Sequence, residues 1–419
     1  MLNLRFSLSL IFKKFSKKLA RNMKILVVAQ GATHLSPGGA EVAAENLAVG
    51  LARIGLESHL AVAVPTSYSN SYYNLVENGV TKHFVPSNAI HPTFRNESST
   101  SVLLWRKVVK GINPNVVHAH HFFKVGINVL SDICKFKPTV LTLHEYLAIC
   151  HQDGQLLRRS GALCDEPSEL ECLNCNFNSL NDGGLSYIRA RNESFRRFLR
   201  LPRFLVAPSK FLESKYLQWG IPQDQIHAIP NVILPPKDSF RPQLTGPTRF
   251  LYLSAITKRK GVEVLLNAAI ELQKRGFSPY DLQIEIWGGG DHDYLQKVVL
   301  PVVDNSRGLV SIKRTFQRSE LDYVLSRGSA VICPSIWFEN RPTVLDEAIA
   351  RGMPIIASNI GGMKEIASET TGMTFRFGDE FDLAESIERF VKTKPARQKI
   401  IQGFGTALTA HINLYKQII

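Results

Sequence analysis

The strongest constraint on the fold is a regular alternation of short apolar segments with amphipathic ones, which begins at Met23 and continues along most of the chain. Residues 24–29 predict a buried strand, and an amphipathic helix is expected over 40–53. Further strands are expected at 116–119 and 139–143, with a helix around 122–133 between them. Strands separated by helices form parallel sheets with helices on both faces. The sequence therefore predicts an α/β fold of the doubly wound, Rossmann-like type.

Length and proline content divide the chain into two such series. At 419 residues it exceeds one ordinary hydrophobic core. A polar stretch punctuated by four prolines separates the series (Pro235, Pro236, Pro242 and Pro247). We expect an N-terminal domain over 23–236 with an irregular cysteine-containing insert at about 145–185. A C-terminal domain over 247–395 should follow, and a final helix over 396–419 that packs back toward the N-terminal domain.

The first 22 residues form a basic, amphipathic extension. The net charge of the chain is +14, and seven basic residues precede position 25 with no acidic residue among them (Arg5, Lys13, Lys14, Lys17, Lys18, Arg21 and Lys24). The apolar part precedes the charges, unlike in a secretory signal, and is shorter than a membrane span. Contact with an anionic membrane surface is one interpretation, and a dispensable tail before a start at Met23 is the other. We expect a cytoplasmic protein with no nucleic-acid partner, and the first interpretation places it as a peripheral protein on the inner face of the cytoplasmic membrane.

Residues 329–365 predict a strand, a loop, a helix and a second strand. Glu339 lies in the loop, Glu347 in the helix, and Pro342 is expected at the first helical position. The N–H groups of Thr343 and Val344 would then be free to hold a phosphate. Two carboxylates beside a phosphate site suit a sugar nucleotide, although two glutamates on a helix surface would be the ordinary alternative.

Polar residues also follow strands in the first series. His118, His120 and His144 occur where two predicted strands end, and Gly38 and Gly39 follow the first strand. Parallel sheets bind ligands at the carboxyl ends of their strands. These residues are therefore candidates for a site, against the alternatives of a buried structural histidine and a simple turn.

Several motifs in order resemble those of the family 4 retaining glycosyltransferases, which have the GT-B fold. They are Gly38-Gly39-Ala-Glu41, Pro230-Asn231, Lys260-Gly261, Gly288-Gly-Gly, and the Glu339/Glu347 pair with seven residues between its members. The resemblance spans about 23–395. It implies two Rossmann-like domains whose parallel sheets face each other across a cleft, and a nucleotide-sugar donor held mostly by the C-terminal domain.

The resemblance also implies residue roles. Glu347 would bind the ribose hydroxyls, Glu339 would stabilise positive charge at the anomeric carbon, and Lys260 would neutralise the diphosphate. His120 would act on the acceptor side. Such enzymes require no metal or other cofactor for catalysis. The remaining expected donor-binding residues are Thr343, Val344, Gly361, Gly362, Gly38, Gly39, Gly288 and Lys258.

This chain departs from the family pattern at three points. Ser254 and Ala255 stand where the family often has Gly-Arg, with Lys258 and Arg259 nearby as substitutes. Val232 replaces the glycine of a Pro-Asn-Gly turn, and Arg314 replaces a later glycine. These departures concern phosphate geometry and base recognition.

Four cysteines cluster in the insert, with 13, 7 and 2 residues between them (Cys150, Cys164, Cys172 and Cys175). One Cys-x-x-Cys pair with two distant partners leaves a structural zinc site, free thiols and disulfides all open. A reducing compartment would disfavour disulfides.

A second basic run covers 189–203 and has six arginines interleaved with apolar residues. It is either a solvated helix face or a contact with an anionic membrane surface or a polyanionic acceptor.

Together with the family resemblance, the sequence predicts a retaining glycosyltransferase that acts on a saccharide or lipid-linked acceptor in surface-polysaccharide or glycoconjugate biosynthesis. The alternatives are a GT-B nucleotide-sugar epimerase and a catalytically degenerate sugar-nucleotide-binding protein.

Overall fold

A computed structural model describes residues 23–35, 38–87, 99–176, 184–237, 239–370, 372–397 and 403–419. The basic extension at 1–22, with its predicted membrane contact, lies outside the described residues. The described chain separates into two compact units. The first comprises 23–154, 166–234 and 403–419, and the second comprises 155–165 and 235–397.

The first unit is built on a sheet that has eight strands within the described residues, in the order β3-β4-β2-β1-β5-β6-β7-β8. All neighbouring pairs are parallel except β3 with β4. The strands are β1 (Lys24–Ala29), β2 (Glu57–Val64), β3 (Tyr73–Glu77), β4 (Val80–Pro86), β5 (Val116–His120), β6 (Thr139–Thr142), β7 (Phe204–Ala207) and β8 (Ile226–Ala228). The helices are α1 (Gly39–Arg53), α2 (Ser99–Ile112), α3 (Ile127–Cys134), α4 (Glu169–Asn176), α5 (Gly184–Leu199) and α6 (Lys210–Gln218).

The second unit has a parallel sheet of six strands within the described residues, in the order β11-β10-β9-β12-β13-β14. The strands are β9 (Thr248–Leu253), β10 (Leu282–Trp287), β11 (Val310–Lys313), β12 (Ala330–Cys333), β13 (Ile355–Ser358) and β14 (Met373–Phe375). The helices are α7 (Val262–Lys274), α8 (His292–Tyr294), α9 (Leu300–Asn305), α10 (Leu321–Arg327), α11 (Thr343–Ile349), α12 (Gly361–Ser368) and α13 (Glu380–Thr393). Lys258–Lys260 and Arg318–Glu320 form 3₁₀ turns, and Leu295–Val299 is a π-helical turn between α8 and α9.

The central strands are apolar because helices cover both faces of each sheet. β1 reads Lys-Ile-Leu-Val-Val-Ala and is buried after its first residue, and β12 is buried throughout. Such continuous apolar runs are typical of parallel strands. The predicted doubly wound α/β architecture is therefore confirmed.

The last helix, α14 (Gly403–Lys416), belongs to the first unit. Leu408, Ile412 and Tyr415 are buried in the same core as residues of α1 and β1. Removal of these side chains from water stabilises the unit, at about 1.5–3 kcal/mol for each large apolar side chain. In the second unit, α7 and α13 cover the sheet with a core of their own.

Three local predictions differ from the structure. The helix expected over 122–133 begins at Ile127, because His121 and Gly126 both have positive φ and hold the preceding residues in a turn. Helix α11 begins at Thr343, so Pro342 is its N-cap and not its first helical residue. Strand β3 occupies a stretch for which no strand was predicted, and Asn78 and Gly79, both at positive φ, join it to β4. Asn-Gly is the strongest short hairpin signal, so the sequence did carry this strand's signature.

Among the described residues, no helix is both long enough and apolar enough to cross a membrane.

Candidate functional site

The Glu339 carboxylate is held by three donors in the loop after β12. Ser335 Oγ donates to its Oε1 at 2.9 Å and Trp337 Nε1 donates to the same oxygen at 2.8 Å. Lys260 Nζ lies 2.5 Å from that oxygen and forms an ion pair with it. The Glu339 residue is 7% exposed. Three donors on one oxygen fix the carboxylate plane and leave Oε2 with no hydrogen bond among the described residues.

Lys260 reaches this carboxylate because Gly261 brings the turn at Lys258–Lys260 against the β12 loop. Gly261 has φ +72°, and a Cβ there would overlap the carbonyl oxygen of Pro334. Ile336 N donates to Arg259 O at 3.0 Å, which ties the two segments together. The cation is therefore placed by backbone contacts, which only glycine at position 261 permits.

The start of α12 lies against the other side of the same loop. Gly362 N donates to Glu339 O at 3.0 Å, and a Cβ on Gly362 would overlap the carbonyl oxygen of Asn340. Gly361, at φ +53°, is the first residue of the helix. Since the N–H of Gly362 is already engaged, the N–H of Gly361 is the better of the two candidates for a phosphate. This close approach places the N-terminus of α12 directly beside Glu339.

Glu347 lies on α11 and is 2% exposed. Its carboxylate accepts two hydrogen bonds from the Arg318 guanidinium, one of them at 3.2 Å from Nη1 to Oε2 and the other from Nη2 to Oε1. Arg351 Nη1 donates to the main-chain oxygen of Glu347 at 2.9 Å. A bidentate pair of this kind fixes the carboxylate in one orientation.

The remaining predicted residues of the second unit lie around these groups. Thr343 and Val344 are the first two residues of α11. Gly288 follows β10, where a Cβ would overlap the carbonyl oxygen of Ser254 after β9. Lys258 is exposed in the turn that carries Lys260. All of these positions follow the carboxyl ends of neighbouring strands, where α/β sheets bind ligands.

In the first unit, His120 ends β5 and pairs with His144, which follows β6. His120 Nδ1 lies 3.0 Å from His144 Nε2. His120 is 2% exposed, and its Nε2 is buried without a hydrogen-bond partner. A buried nitrogen that is left unpaired costs free energy, which a hydrogen-bonding ligand would recover.

A histidine cluster surrounds His120 and includes the last helix. His118 Nδ1 lies 2.6 Å from Tyr415 Oη of α14, and its Nε2 lies 2.7 Å from Thr142 Oγ1. The rings of His118 and His411 are 5.3 Å apart. Burial, together with neighbouring histidines, lowers the pKa of His118 and His120 well below 6.5. Burial also lowers the pKa of His144 to about 3 and that of His411 to about 4. All four imidazoles are therefore neutral at pH 7.

Gly38 and Gly39 lie at the N-terminus of α1, with Gly38 as its N-cap. A Cβ on Gly38 would overlap a carboxylate oxygen of Glu41, which is 3% exposed. In this structure Gly38 makes room for the Glu41 side chain.

The possible structural zinc site is not supported. All four candidate cysteines are described, and no group of three or more His, Cys, Asp or Glu among the described residues is placed to hold a metal ion. Cys172 and Cys175 lie on α4, and Cys150 Sγ accepts from Gln152 N at 3.3 Å. Cys164 follows a short antiparallel bridge between Leu157 and Leu163. The described cysteines are thiols, without disulfides.

Sequence reasoning did not single out several residues that hold the site. Ser335 and Trp337 precede Glu339 by four and two residues, so their proximity was available from the motif. Arg318 is 29 residues from Glu347, and no local pattern connects the two. His411 and Tyr415 lie almost 300 residues from His118 and are joined to it only by the packing of α14.

Two family models match adjacent parts of the chain. One, described as Glycosyltransferase Family 4, matches residues 37–234, and the other, described as Glycosyl transferases group 1, matches 236–403. The chain belongs to the family 4 glycosyltransferases. The GT-B fold predicted from the motifs is confirmed with it.

Relatives within the glycosyltransferases are distant. An alpha-D-kanosaminyltransferase from Streptomyces kanamyceticus is 27% identical over 169 residues, which are 39% of this chain and 42% of that protein. The chain thus matches less than half the length of this relative. Among solved structures, sucrose-phosphate synthase from Thermosynechococcus elongatus has a TM-score of 0.66 at 17% identity and covers 94% of this chain and 98% of its own. A HepE protein from Anabaena in complex with UDP-glucose has a TM-score of 0.59 at 16% identity, covering 95% of each chain.

Proposed function

We propose that this chain is a retaining, metal-independent glycosyltransferase. It would move a sugar from a nucleotide-sugar donor to a saccharide or lipid-linked acceptor in cell-surface polysaccharide or glycoconjugate biosynthesis. The observation that carries the proposal is the carboxylate of Glu339, which three donors orient on one oxygen while the other oxygen has no partner in the described structure. The family membership and the UDP-glucose complex of a GT-B neighbour support a nucleotide-sugar donor.

The geometry of the second unit supports the proposed donor roles. When the bond between the anomeric carbon and the diphosphate breaks, positive charge develops on the sugar and negative charge on the leaving group. Glu339 Oε2 is available to stabilise the sugar, and the Lys260 ammonium and the N–H of Gly361 to stabilise the diphosphate. Glu347 accepts from the ribose hydroxyls, and the N–H groups of Thr343 and Val344 add to the phosphate contacts. The Lys260 ammonium and the helix N–H groups would stabilise the negative charge that a divalent ion would otherwise stabilise, and this is the basis for proposing metal independence.

His120 takes the acceptor-side role in this proposal. Its neutral imidazole has Nδ1 engaged with His144, so Nε2 is the atom that can hydrogen-bond a sugar hydroxyl. Retention would follow from attack on the same face that the diphosphate leaves, with a diphosphate oxygen taking the hydroxyl proton. A cytoplasmic location and membrane contact through 1–22 belong to the same proposal.

The test begins with the donor. Nucleotide sugars with different bases are screened for thermal stabilisation of the chain, and the stabilising donor is then assayed for transfer and for slow hydrolysis. Glu339→Gln keeps the hydrogen-bond acceptor but removes the charge, and we expect kcat to fall about 10²–10³-fold, as when a preorganised electrostatic group is lost elsewhere. Glu388→Gln on α13, whose carboxylate pairs with Arg275 and Lys392, is the matched control and should retain activity.

The remaining features have separate readouts. NMR of the initial product gives its anomeric configuration, and an inverted product would refute retention. Activity that disappears in EDTA and returns with a divalent cation would refute metal independence. Full activity of Glu339→Gln with the stabilising donor would refute the role of Glu339.

A further inference from the structure

A basic cavity lies in the first unit at the amino ends of the strands, and His120 lies at the opposite, carboxyl ends. It has a volume of about 660 Å³ and is lined by residues that precede three adjacent strands: 134–139 before and at the start of β6, 200–204 before and at the start of β7, and 222, 224 and 225 before β8. These are the amino ends of parallel strands, whereas His120 and His144 lie at the carboxyl ends. The cavity is therefore separate from the proposed catalytic residues.

Four cations line this cavity (Lys135, Lys137, Arg200 and Arg203), against one carboxylate, Asp224. Within the described part of the chain, none of the four cations forms an ion pair. Lys137 Nζ donates to a neutral group, Asn113 Oδ1, at 2.6 Å. Lys110, whose ammonium lies 5.7 Å from the centroid of the Phe136 ring, adds a further positive charge beside the cavity. The Asp132 carboxyl, whose pKa is lowered chiefly by Arg106, also interacts with Lys135 and Lys110. The lining residues still carry more positive than negative charge, and a bound anion would offset this excess.

The basic run at 189–203 divides in the structure, and only its end belongs to the cavity. Arg189 pairs with Glu169 and Arg197 with Glu193. Arg191 is buried and donates to main-chain oxygens of 147, 148 and 150, and the Arg196 guanidinium lies over the Trp219 ring. Four of the six arginines are thus engaged within the first unit. Arg200 and Arg203 line the cavity, and the Arg203 guanidinium also lies 5.7 Å from the centroid of the Phe204 ring.

The cavity has a preorganised frame. Gln225 Nε2 donates to Leu199 O at 2.7 Å and to Pro202 O at 3.0 Å, and Arg203 N donates to Thr139 O at 2.8 Å. The three strand-entry segments are therefore tied to one another. A site with a fixed frame loses less conformational entropy when it binds a ligand.

Helix dipoles account for only part of this charge. Lys135 is the C-cap of α3, and Arg200 follows the last residue of α5, positions at which a cation is stabilised by the helix C-terminus. Lys137 and Arg203 lie three and four residues beyond the last helical residues, where the dipole has little effect. Helix C-termini therefore do not account for the positions of Lys137 and Arg203.

We propose that this cavity binds a phosphate ester. Lysine and arginine are the side chains that recognise phosphate, and the guanidinium offers paired donors to it. The volume exceeds that of a bare phosphate, and the exposed Leu201, with prolines and Phe136, offers apolar surface to the esterified group. The ligand is a phosphorylated soluble metabolite or the headgroup of an anionic lipid. The proposal does not depend on the proposed glycosyltransferase activity.

The first experiment locates the binding. Hydrogen–deuterium exchange of the whole chain is measured with inorganic pyrophosphate, with phosphatidylglycerol vesicles and with phosphatidylcholine vesicles. We expect pyrophosphate to protect amides at 134–139 and 200–205. Equal or stronger protection by phosphatidylglycerol vesicles, with none from phosphatidylcholine, identifies a lipid source, and protection by pyrophosphate alone identifies a soluble one. Protection confined to the second unit, near 258–262 and 361–364, or no protection by any probe, overturns the proposal.

The second experiment tests the residues. Lys137→Gln/Arg203→Gln should weaken pyrophosphate binding at the cavity at least about tenfold, because it removes two charge-assisted contacts. Arg189→Gln/Arg197→Gln removes the same charge from the adjacent helix and should change the affinity less than about twofold, as exposed paired charges contribute little. Equal losses in both variants would show diffuse charge attraction and refute a site. Thermal unfolding of both variants confirms that each is folded.

Discussion

At the scale of single residues, the two acidic groups of the second unit are held in different ways. Glu339 takes all its described donors on one oxygen, whereas the Glu347 carboxylate has both oxygens engaged by Arg318. If Glu347 binds the ribose hydroxyls as proposed, Arg318 must share its carboxylate or release it. We therefore expect Arg318 to control how the carboxylate is presented to the donor.

Removal of Arg318 tests this control. Arg318→Gln should raise KM for the donor about tenfold with little change in kcat, because ribose contacts bind the ground state and the transition state alike. Arg318→Lys should restore the low KM for the donor only in part, since an ammonium lacks the paired donor geometry of a guanidinium. Arg275→Gln, which removes an arginine that pairs with Glu271 and Glu388 away from the site, is the control. A similar KM in both glutamine variants would contradict the role of Arg318.

At the scale of elements, the second unit brings loops together through close main-chain contacts. The turn before α7 and the start of α12 both lie against the loop that follows β12, and a glycine at each contact leaves no room for a Cβ. The positions of Lys260 and of the α12 N-terminus relative to Glu339 therefore depend on backbone packing. Side-chain substitutions elsewhere on these elements should affect the site less.

Gly261→Ala and Gly276→Ala form a matched pair. Both glycines have positive φ, +72° and +90°, so alanine should cost about 1–2 kcal/mol of unfolding free energy at either position. A Cβ at Gly276 meets open space, whereas one at Gly261 would overlap Pro334 O. Gly261→Ala should therefore lose more stability in urea unfolding, and should also lose the thermal stabilisation given by the donor. Equal stability losses and unchanged donor binding in both variants would contradict the packing argument.

At the scale of the whole molecule, the two units differ in their buried titratable groups. The first unit has a cluster of four neutral histidines, His118, His120, His144 and His411, whose pKa values are all lowered. Tyr415 and Thr142 are the hydroxyl partners of His118, and the His121–Glu145 pair, 2.9 Å apart, lies nearby. The described residues of the second unit contain no buried histidine. The stability of the first unit should therefore depend more strongly on pH in the acidic range.

The sign follows from the lowered pKa values of these histidines. Above about pH 6.5 both folded and unfolded imidazoles are neutral, and the stabilisation is fully present. Below that pH these histidines bind protons in the unfolded chain but remain neutral in the folded unit. In the folded unit His411 is protonated only near pH 4 and His144 only near pH 3. Each group then removes up to about 1.4 kcal/mol per pH unit.

We expect hydrogen-exchange protection of β5 and β6 to fall between pH 7 and pH 5 after correction for intrinsic exchange. Protection of β9 and β10 should fall less and serves as the internal control. His411→Gln should reduce the pH dependence in β5 and β6. An equal pH dependence in both sheets would contradict this account.

The sequence alone was sufficient for the doubly wound architecture, the boundaries of most central strands and the family. Hydrophobic periodicity and motif spacing are local properties, and buried parallel strands such as β1 and β12 express them directly. The Asn78-Gly79 hairpin and the Ser335/Trp337 pair were also encoded locally, although neither was recognised. The roles of Glu339, His120 and the other predicted site residues remain proposals.

Only the tertiary structure decided which distant groups meet. Arg318 reaches Glu347, α14 brings Tyr415 to His118, and the amino ends of β6, β7 and β8 collect four cations around one cavity. The cysteines, whose spacing allowed a zinc site, are not gathered into one within the described residues. These outcomes depend on chain packing over long sequence separations, because a contact between distant residues leaves no periodic signal in either segment.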